Sequence, residues 1–189
     1  MAIIPAHEAQ QQGIRLAAAL MATAARTAPK TRGLDSIEMA VLDGEDLETL
    51  ARAMEAKVAE KGGKIPSFTR DAKNVRASSA VLLIGVTGVP KNPKVPLDCG
   101  ACGLSGCAEF TTAAKKDGED FRGPLCLFQA IDLGIALGSA AKTAGMLNVD
   151  NRIMYTIGAA ARKLKLLKSD VIIGFPLSAM GKSPYFDRG

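Results

Sequence analysis

The chain has 189 residues, 48% apolar and 23% charged, with no Trp and a formal net charge of +5. That length suits one domain whose core is built from Ala, Leu, Ile, Val and Met rather than aromatics. The positive charge is spread along the sequence without a basic tract or interleaved aromatics, which argues against nucleic acid as a partner and suits an acidic protein such as an electron carrier.

Residues 14–28 (IRLAAALMATAARTA) combine strong helix formers with apolar residues near helical spacing, and Pro29 and Gly33 stop the predicted helix. Residues 36–42 (SIEMAVL) alternate as a strand. Asp43-Gly44 then turns into a helix with the apolar stripe Leu47, Leu50, Ala51, Met54 and Val58, ended by Gly62-Gly63. After a polar, short-helical stretch, residues 79–87 (SAVLLIGVT) read as a buried strand. The apolar run 79–89 around it is too short to span a bilayer. The proline-rich stretch 88–98 is a loop.

A helix is predicted from Cys107 through AEFTTAAKK, followed by a polar turn over 117–124. Residues 125–147 read as a long helix placed centrally, because Gly134, Gly138, Ala140, Ala141 and Ala144 let another backbone come close. A further helix over 152–167 and a buried strand over 171–177 complete the order. Strands separated by helices predict one layered α/β or α+β domain over residues 1–189. The N-terminus lacks the basic-then-apolar pattern of a secretory signal, so the expectation is a cytoplasmic protein off the membrane.

The chemistry concentrates in LDCGACGLSGC, residues 97–107, with the spacing Cys99-x2-Cys102-x4-Cys107-x18-Cys126. Zinc usually takes two separate CxxC pairs, and here the second pair is split. A dithiol site needs only Cys99 and Cys102 and leaves the other two without a role. A disulfide framework suits an exported protein better. Three close thiolates on a bend and one from a distance are how an iron–sulfur cube is commonly held. Gly100, Gly103 and Gly106 are expected to take positive φ and to aim backbone N–H groups at the sulfides. A helix start at Cys107 would add positive dipole there. The cube answers the spacing best, with zinc, thiol chemistry and a structural role as the competing answers.

The motif CGACGLSGC followed by Cys126 is similar to the four-cysteine domain in the B subunit of the Rnf electron-transport complex, and to the corrinoid iron–sulfur subunit of acetyl-CoA decarbonylase/synthase. That resemblance implies a [4Fe–4S] cluster with Cys99, Cys102, Cys107 and Cys126 as ligands, on a segment spanning 91–127. The closing stretch NVDNRIMYTIGAAARKLKLLKSDVIIGFPLSAMGKSPYFDR resembles the uncharacterised ferredoxin domain-containing proteins. Three segments, AARTAPKTRGLDSIEMAVL, DLGIALGSAAKTAGMLN and SDVIIGFPL, also resemble nitroreductase segments.

The fold this implies is an α+β, nitroreductase-like three-layer domain with an inserted iron–sulfur cluster loop. Nitroreductase-like proteins are homodimers with FMN at the subunit interface. Here the usual Arg-Arg-Ser phosphate motif is missing, and Thr31-Arg32-Gly33-Leu34 replaces the usual Asn-x-Gln-Pro. Arg32, Lys182 and Arg188 remain as cations for a flavin phosphate. The function expected is electron transfer with a redox partner protein. The alternative is an FMN-dependent reductase fed by the cluster.

Other candidates carry less. His7, the single histidine, reads as an exposed bystander. Gly85-Val-Thr-Gly88 is too short for a phosphate loop. Asp132 is expected to cap or pair locally, and Tyr155 and Tyr185 to pack in the core or an interface.

Overall fold

A computed structural model describes residues 3–186. In chain order its elements are α1 (Ala6–Thr27), a 3-10 turn (Thr31–Gly33), β1 (Ile37–Leu42), α2 (Glu45–Glu60), α3 (Ser67–Arg76), β2 (Ala80–Val86) and α4 (Cys107–Thr112). Then come β3 (Lys116–Asp117), β4 (Arg122–Gly123), α5 (Leu127–Met146), β5 (Asp150–Asn151), α6 (Tyr155–Lys163) and β6 (Val171–Ser178). The main sheet is antiparallel with strand order β1-β2-β6-β5, and β3 and β4 form a separate hairpin.

Side chains alternate across a strand, so β2 feeds two cores. Val81 and Leu83 pack under α2, α3 and α6, with Leu50, Met54, Phe68 and Ile157. Leu82, Ile84 and Val86 pack under α1 and α5, with Met21, Ala136 and Ala140. Both faces are covered, which is why the strand reads as an unbroken apolar run and is buried at every position. Each fully buried Leu or Ile contributes about 1.5–3 kcal/mol. The result is the α+β three-layer arrangement expected from the resemblance, with the 91–127 segment leaving the end of β2 and returning at α5.

One close approach fixes the second helical layer. A Cβ on Gly158 of α6 would lie 1.6 Å from the Ile172 carbonyl oxygen of β6, so only glycine lets this helix sit on that strand. Four expectations change. Helix α1 starts at Ala6, which puts exposed His7 on a helix. Helix α4 stops at Thr112, because Ala113 turns extended toward the β3–β4 hairpin. Helix α6 ends at Lys163, with Lys165 in the left-handed region (φ 57°). Helix α5 meets α1 through Ala136, Ala140 and Ala144, while Gly134 and Gly138 face outward. Among the described residues no helix is long and apolar enough to cross a membrane.

Candidate metal centre

The two limbs of the inserted segment meet at its stem. The Gly88 carbonyl accepts a hydrogen bond from the Cys126 amide (3.0 Å), and the Gly88 amide donates to Asp170 Oδ2 (2.8 Å). A Cβ on Gly88 would lie 2.3 Å from Leu125 Cδ1, so this glycine lets the limbs touch. Beyond the stem, all four cysteines line one hollow, walled in part by Pro90, Phe110 and Leu127. A second hollow shares Cys99, Cys107 and Cys126 and is also lined by Arg32, Lys91 and Phe128. The four thiols are free; Cys99 is exposed and the others half-buried. The chain thus brings the remote Cys126 to the other three, at the position preceding the first residue of α5.

The backbone of the bend is only partly as expected. Gly100 and Gly103 have φ of 72° and 78°, as a tight bend requires. Gly106 is extended, and its lack of a side chain serves a close approach instead: a Cβ there would lie 2.8 Å from Asp98 Oδ1. The Cys107 amide donates to that same Asp98 oxygen (2.7 Å). The Ser105 amide and hydroxyl both donate to Glu109 Oε2 and hold that carboxyl below its ordinary value. These carboxylates take the donors at the start of α4, so the expected dipole of that short helix is spent inside the protein. Among the described residues, the amides of Gly100, Ala101, Cys102, Leu104 and Gly106 have no protein acceptor and are left for a ligand or water.

The return limb is clamped to the core. Asp120, in the turn of the hairpin, is held by Lys57 (2.9 Å) of α2, by Lys61 (2.7 Å) just after it and by the Tyr155 hydroxyl of α6. Burial pushes the Asp120 carboxyl up, but the hydrogen bonds from Lys61, Tyr155 and Lys57 outweigh it and hold it below its ordinary value. The phenol of Tyr155 is pushed up to about 12 by burial and by Asp120. Phe121 stacks edge-on against Tyr155.

A second buried knot supports the outgoing limb. Lys91 Nζ pairs with Asp132 Oδ2 (2.6 Å), and the two side chains are only 3% and 1% exposed. The other Asp132 oxygen accepts from the Thr31 amide and hydroxyl (both 2.9 Å). Lys91 also donates to the Leu34 carbonyl, and Gln129 donates to the Val89 carbonyl (2.8 Å). Asp132 therefore pairs across the chain rather than locally. A buried pair of this kind is costly to desolvate and specifies geometry more than it adds stability. It ties the turn at 31–33, the loop after β2 and helix α5 to one point behind the cysteines.

Arg32 follows from that turn. It takes the left-handed conformation (φ 59°), and so does Asp98 (φ 45°); each lines one of the two hollows. Non-glycine residues hold such conformations only where their surroundings enforce them. Lys182 lies on the exposed stretch after β6 and lines neither hollow, and Arg188 lies outside the described residues. Lys91, Asp120 and Asp170 had no signal in periodicity, because each works through a contact distant in sequence, and Asp98 had none because it serves an irregular loop. Tyr185 is buried and shares a hydrogen bond with Ser78 (2.9 Å), so it packs in the core.

Among the described residues, no three Cys, His, Asp or Glu side chains are placed to hold a single metal ion. Sulfurs on one tetrahedral ion at about 2.3 Å must lie within roughly 4 Å of one another. Four cysteine thiols lining one hollow, with unengaged amides on the bend beside them, are a donor set of the kind a four-iron cube uses.

Residues 122–188 match the family described as uncharacterized protein containing a ferredoxin domain. An uncharacterized protein of Archaeoglobus fulgidus is 53% identical over 179 residues, covering 95% of this chain and 94% of its own. Among solved structures, the FMN and NADPH-dependent nitroreductase NfnB from Sphigopyxis sp. strain HMH superposes with a TM-score of 0.56, at 14% identity, over 90% of this chain and 81% of that one. Nitroreductase CinD from Lactococcus lactis, in complex with nicotinic acid, gives 0.57 at 13% identity, over 89% and 79%. At such identities the likeness establishes the nitroreductase fold.

Proposed function

This chain belongs to the family of uncharacterized proteins containing a ferredoxin domain, and on that premise we propose that it is a cytoplasmic redox protein holding one [4Fe–4S] cluster and exchanging electrons with a partner protein. The observation that carries this reading is the convergence of Cys99, Cys102, Cys107 and Cys126 on one hollow. When bound, the cluster supplies a one-electron couple. The chain's own residues do the rest. The unengaged amides of the 100–106 bend offer hydrogen bonds to the sulfurs, which favours the reduced form. Phe110 and Leu127 wall off water on one side. Arg32 places a positive charge beside the thiolates in the second hollow.

A second reading makes the protein an FMN-dependent reductase whose flavin is fed by the cluster. It is favoured by the nitroreductase fold and by the second hollow, where Arg32 sits beside three cysteines. In that reading Arg32, with Lys182 and Arg188, meets the flavin phosphate. A homodimer belongs to both readings. It is supported by the exposed stripe Leu127, Ile131 and Ile135 on α5, which starts next to Cys126.

Anaerobic purification tests the proposal. A brown protein with about 4 Fe per chain is expected. Cys102→Ser should lose most of that iron while the far-ultraviolet circular dichroism stays native. Full iron content in the variant removes Cys102 from the ligand set. A stoichiometric flavin spectrum moves the conclusion to the second reading. Sedimentation of the same sample gives the oligomeric state.

A further inference from the structure

The fold gathers what the sequence spreads out. A groove runs between the β3–β4 hairpin, the end of α6 and the turn into β6, lined by Asp117, Arg122, Arg162, Lys163, Lys165 and Lys168, with Asp170 at its inner edge. Asp117 is taken by Arg162, Asp170 by Lys115, and Lys163 by Glu60. Glu38 at the rim is spent on the Lys168 amide and the Ser169 hydroxyl. Arg122, Lys165 and Lys168 are exposed, and no acidic side chain among the described residues pairs with them. Glu38's donors are neutral and leave its charge in place, but three cations without an ion-pair partner still outnumber it, so this concave face is net positive and holds a large share of a net charge of +5.

This face is wired to the cysteines. The Arg122 amide donates to the Asp170 carbonyl (3.1 Å), Asp170 Oδ2 accepts from the Gly88 amide (2.8 Å), and the Gly88 carbonyl accepts from the Cys126 amide (3.0 Å). Along the chain, Arg122 stands four residues before Cys126, a span of at most about 14 Å even fully extended. A partner seated in the groove would thus have its own redox centre close to Cys126. The lining includes no aromatic ring on which a base could stack. Leu167 is its single apolar side chain, too little for a lipid surface.

We propose that this groove is the docking surface for a small acidic electron-carrier protein, with Arg122, Lys165 and Lys168 as the residues that meet its carboxylates. The proposal rests on the redox reading above and gives the partner a place and a charge. Complementary charge acts on encounter rate and orientation, and it fades with salt.

The test uses the cluster-loaded protein and, as probe, a purified acidic ferredoxin, with binding read by calorimetry at an ionic strength of about 0.01 M, where charges act over roughly 30 Å. The triple variant R122E/K165E/K168E should bind at least tenfold more weakly than the parent, and the milder R122Q/K165Q/K168Q should weaken binding in the same direction if the first misfolds. The exposed control Lys142→Glu on α5 should bind as the parent does. Parent binding should fall away at about 1 M salt, where the screening length is roughly 3 Å. Unchanged affinity in the triple variants, parent affinity independent of salt, or no binding by the parent overturns the docking site. So does a single-stranded oligonucleotide that binds this face while the ferredoxin does not. Iron content is read on the same samples. Normal iron with unchanged ferredoxin affinity sinks the groove alone, whereas absent iron sinks the cluster and leaves the binding comparison standing.

Discussion

The two limbs that carry the cysteines are held in different ways. The outgoing limb, with Cys99, Cys102 and Cys107, is mostly exposed, and past Lys91 it is shaped by local contacts: Asp98 with Cys107, Ser105 with Glu109, and a bend at Gly100–Gly103. The return limb is fixed from outside by Lys57 and Lys61 at the end of α2, Tyr155 of α6 and Asp170 before β6. Cys126 is therefore positioned by the core, while the other three cysteines sit on a loop shaped mainly by its own contacts. A loop with few buried contacts opens easily, so ligand binding should order this one by mass action. The limbs are tied together at the stem at Gly88 and, behind the cysteines, through α5 by the Lys91–Asp132 pair and the Gln129–Val89 hydrogen bond.

The sharpest way to break the comparison is at that knot. Lys91→Met leaves the Asp132 charge buried without its cation, and the cost should be about 3–5 kcal/mol by urea denaturation. The double change Lys91→Met with Asp132→Leu should recover much of it. If the double variant is no more stable than the single one, the pair does not act as a unit.

The clamp on the return limb should matter next. Asp120→Asn removes the charge held by Lys57, Lys61 and Tyr155, and should cost about 2–3 kcal/mol at neutral pH. The Asp120 carboxyl is held below its ordinary 3.8, so its contribution is complete above that value and disappears as pH falls through its folded value. Parent and variant should therefore differ in melting temperature at pH 6, and the difference should shrink as pH falls below 3.8. A difference that persists undiminished at low pH would assign the effect to packing.

The smallest effects come from glycines, and they should separate the limbs. Gly88→Ala drives a Cβ into Leu125, next to Cys126, and should cost about 1–2 kcal/mol and lower iron uptake. Gly100→Ala meets open space but a φ of 72°, so it should cost about 1 kcal/mol and slow cluster assembly with little change in the melting of the apo protein. Equal loss of apo stability in both variants would mean that the outgoing bend is as firmly built as the stem.

Legibility in the sequence followed the range of the interactions. The apolar run in β2, the stripe Leu47, Leu50, Ala51 and Met54, and the strand 171–177 were readable because burial on both faces or one face writes a local pattern. Helix ends were misread for two reasons: α4 stops at Thr112, near Lys115 pulled toward distant Asp170, while α6 ends in a local turn at the left-handed Lys165. The four cysteines stood out by spacing. Their supports Lys91, Asp120 and Asp170 did not, because a Lys or Asp in a loop looks the same whether solvated or locked into a buried pair, and neither did Asp98, which braces an exposed bend.

The sequence by itself determined the cysteine spacing and the layered class, since residue spacing and hydrophobic period are both local properties of the chain. Only the tertiary structure decided that Cys126 comes back to the other three, that Asp132 reaches Lys91 and Thr31, and that evenly scattered cations collect in one groove. Those outcomes depend on which surfaces the packed sheet and helices bring together, and proximity across a folded core leaves no periodic trace along the chain.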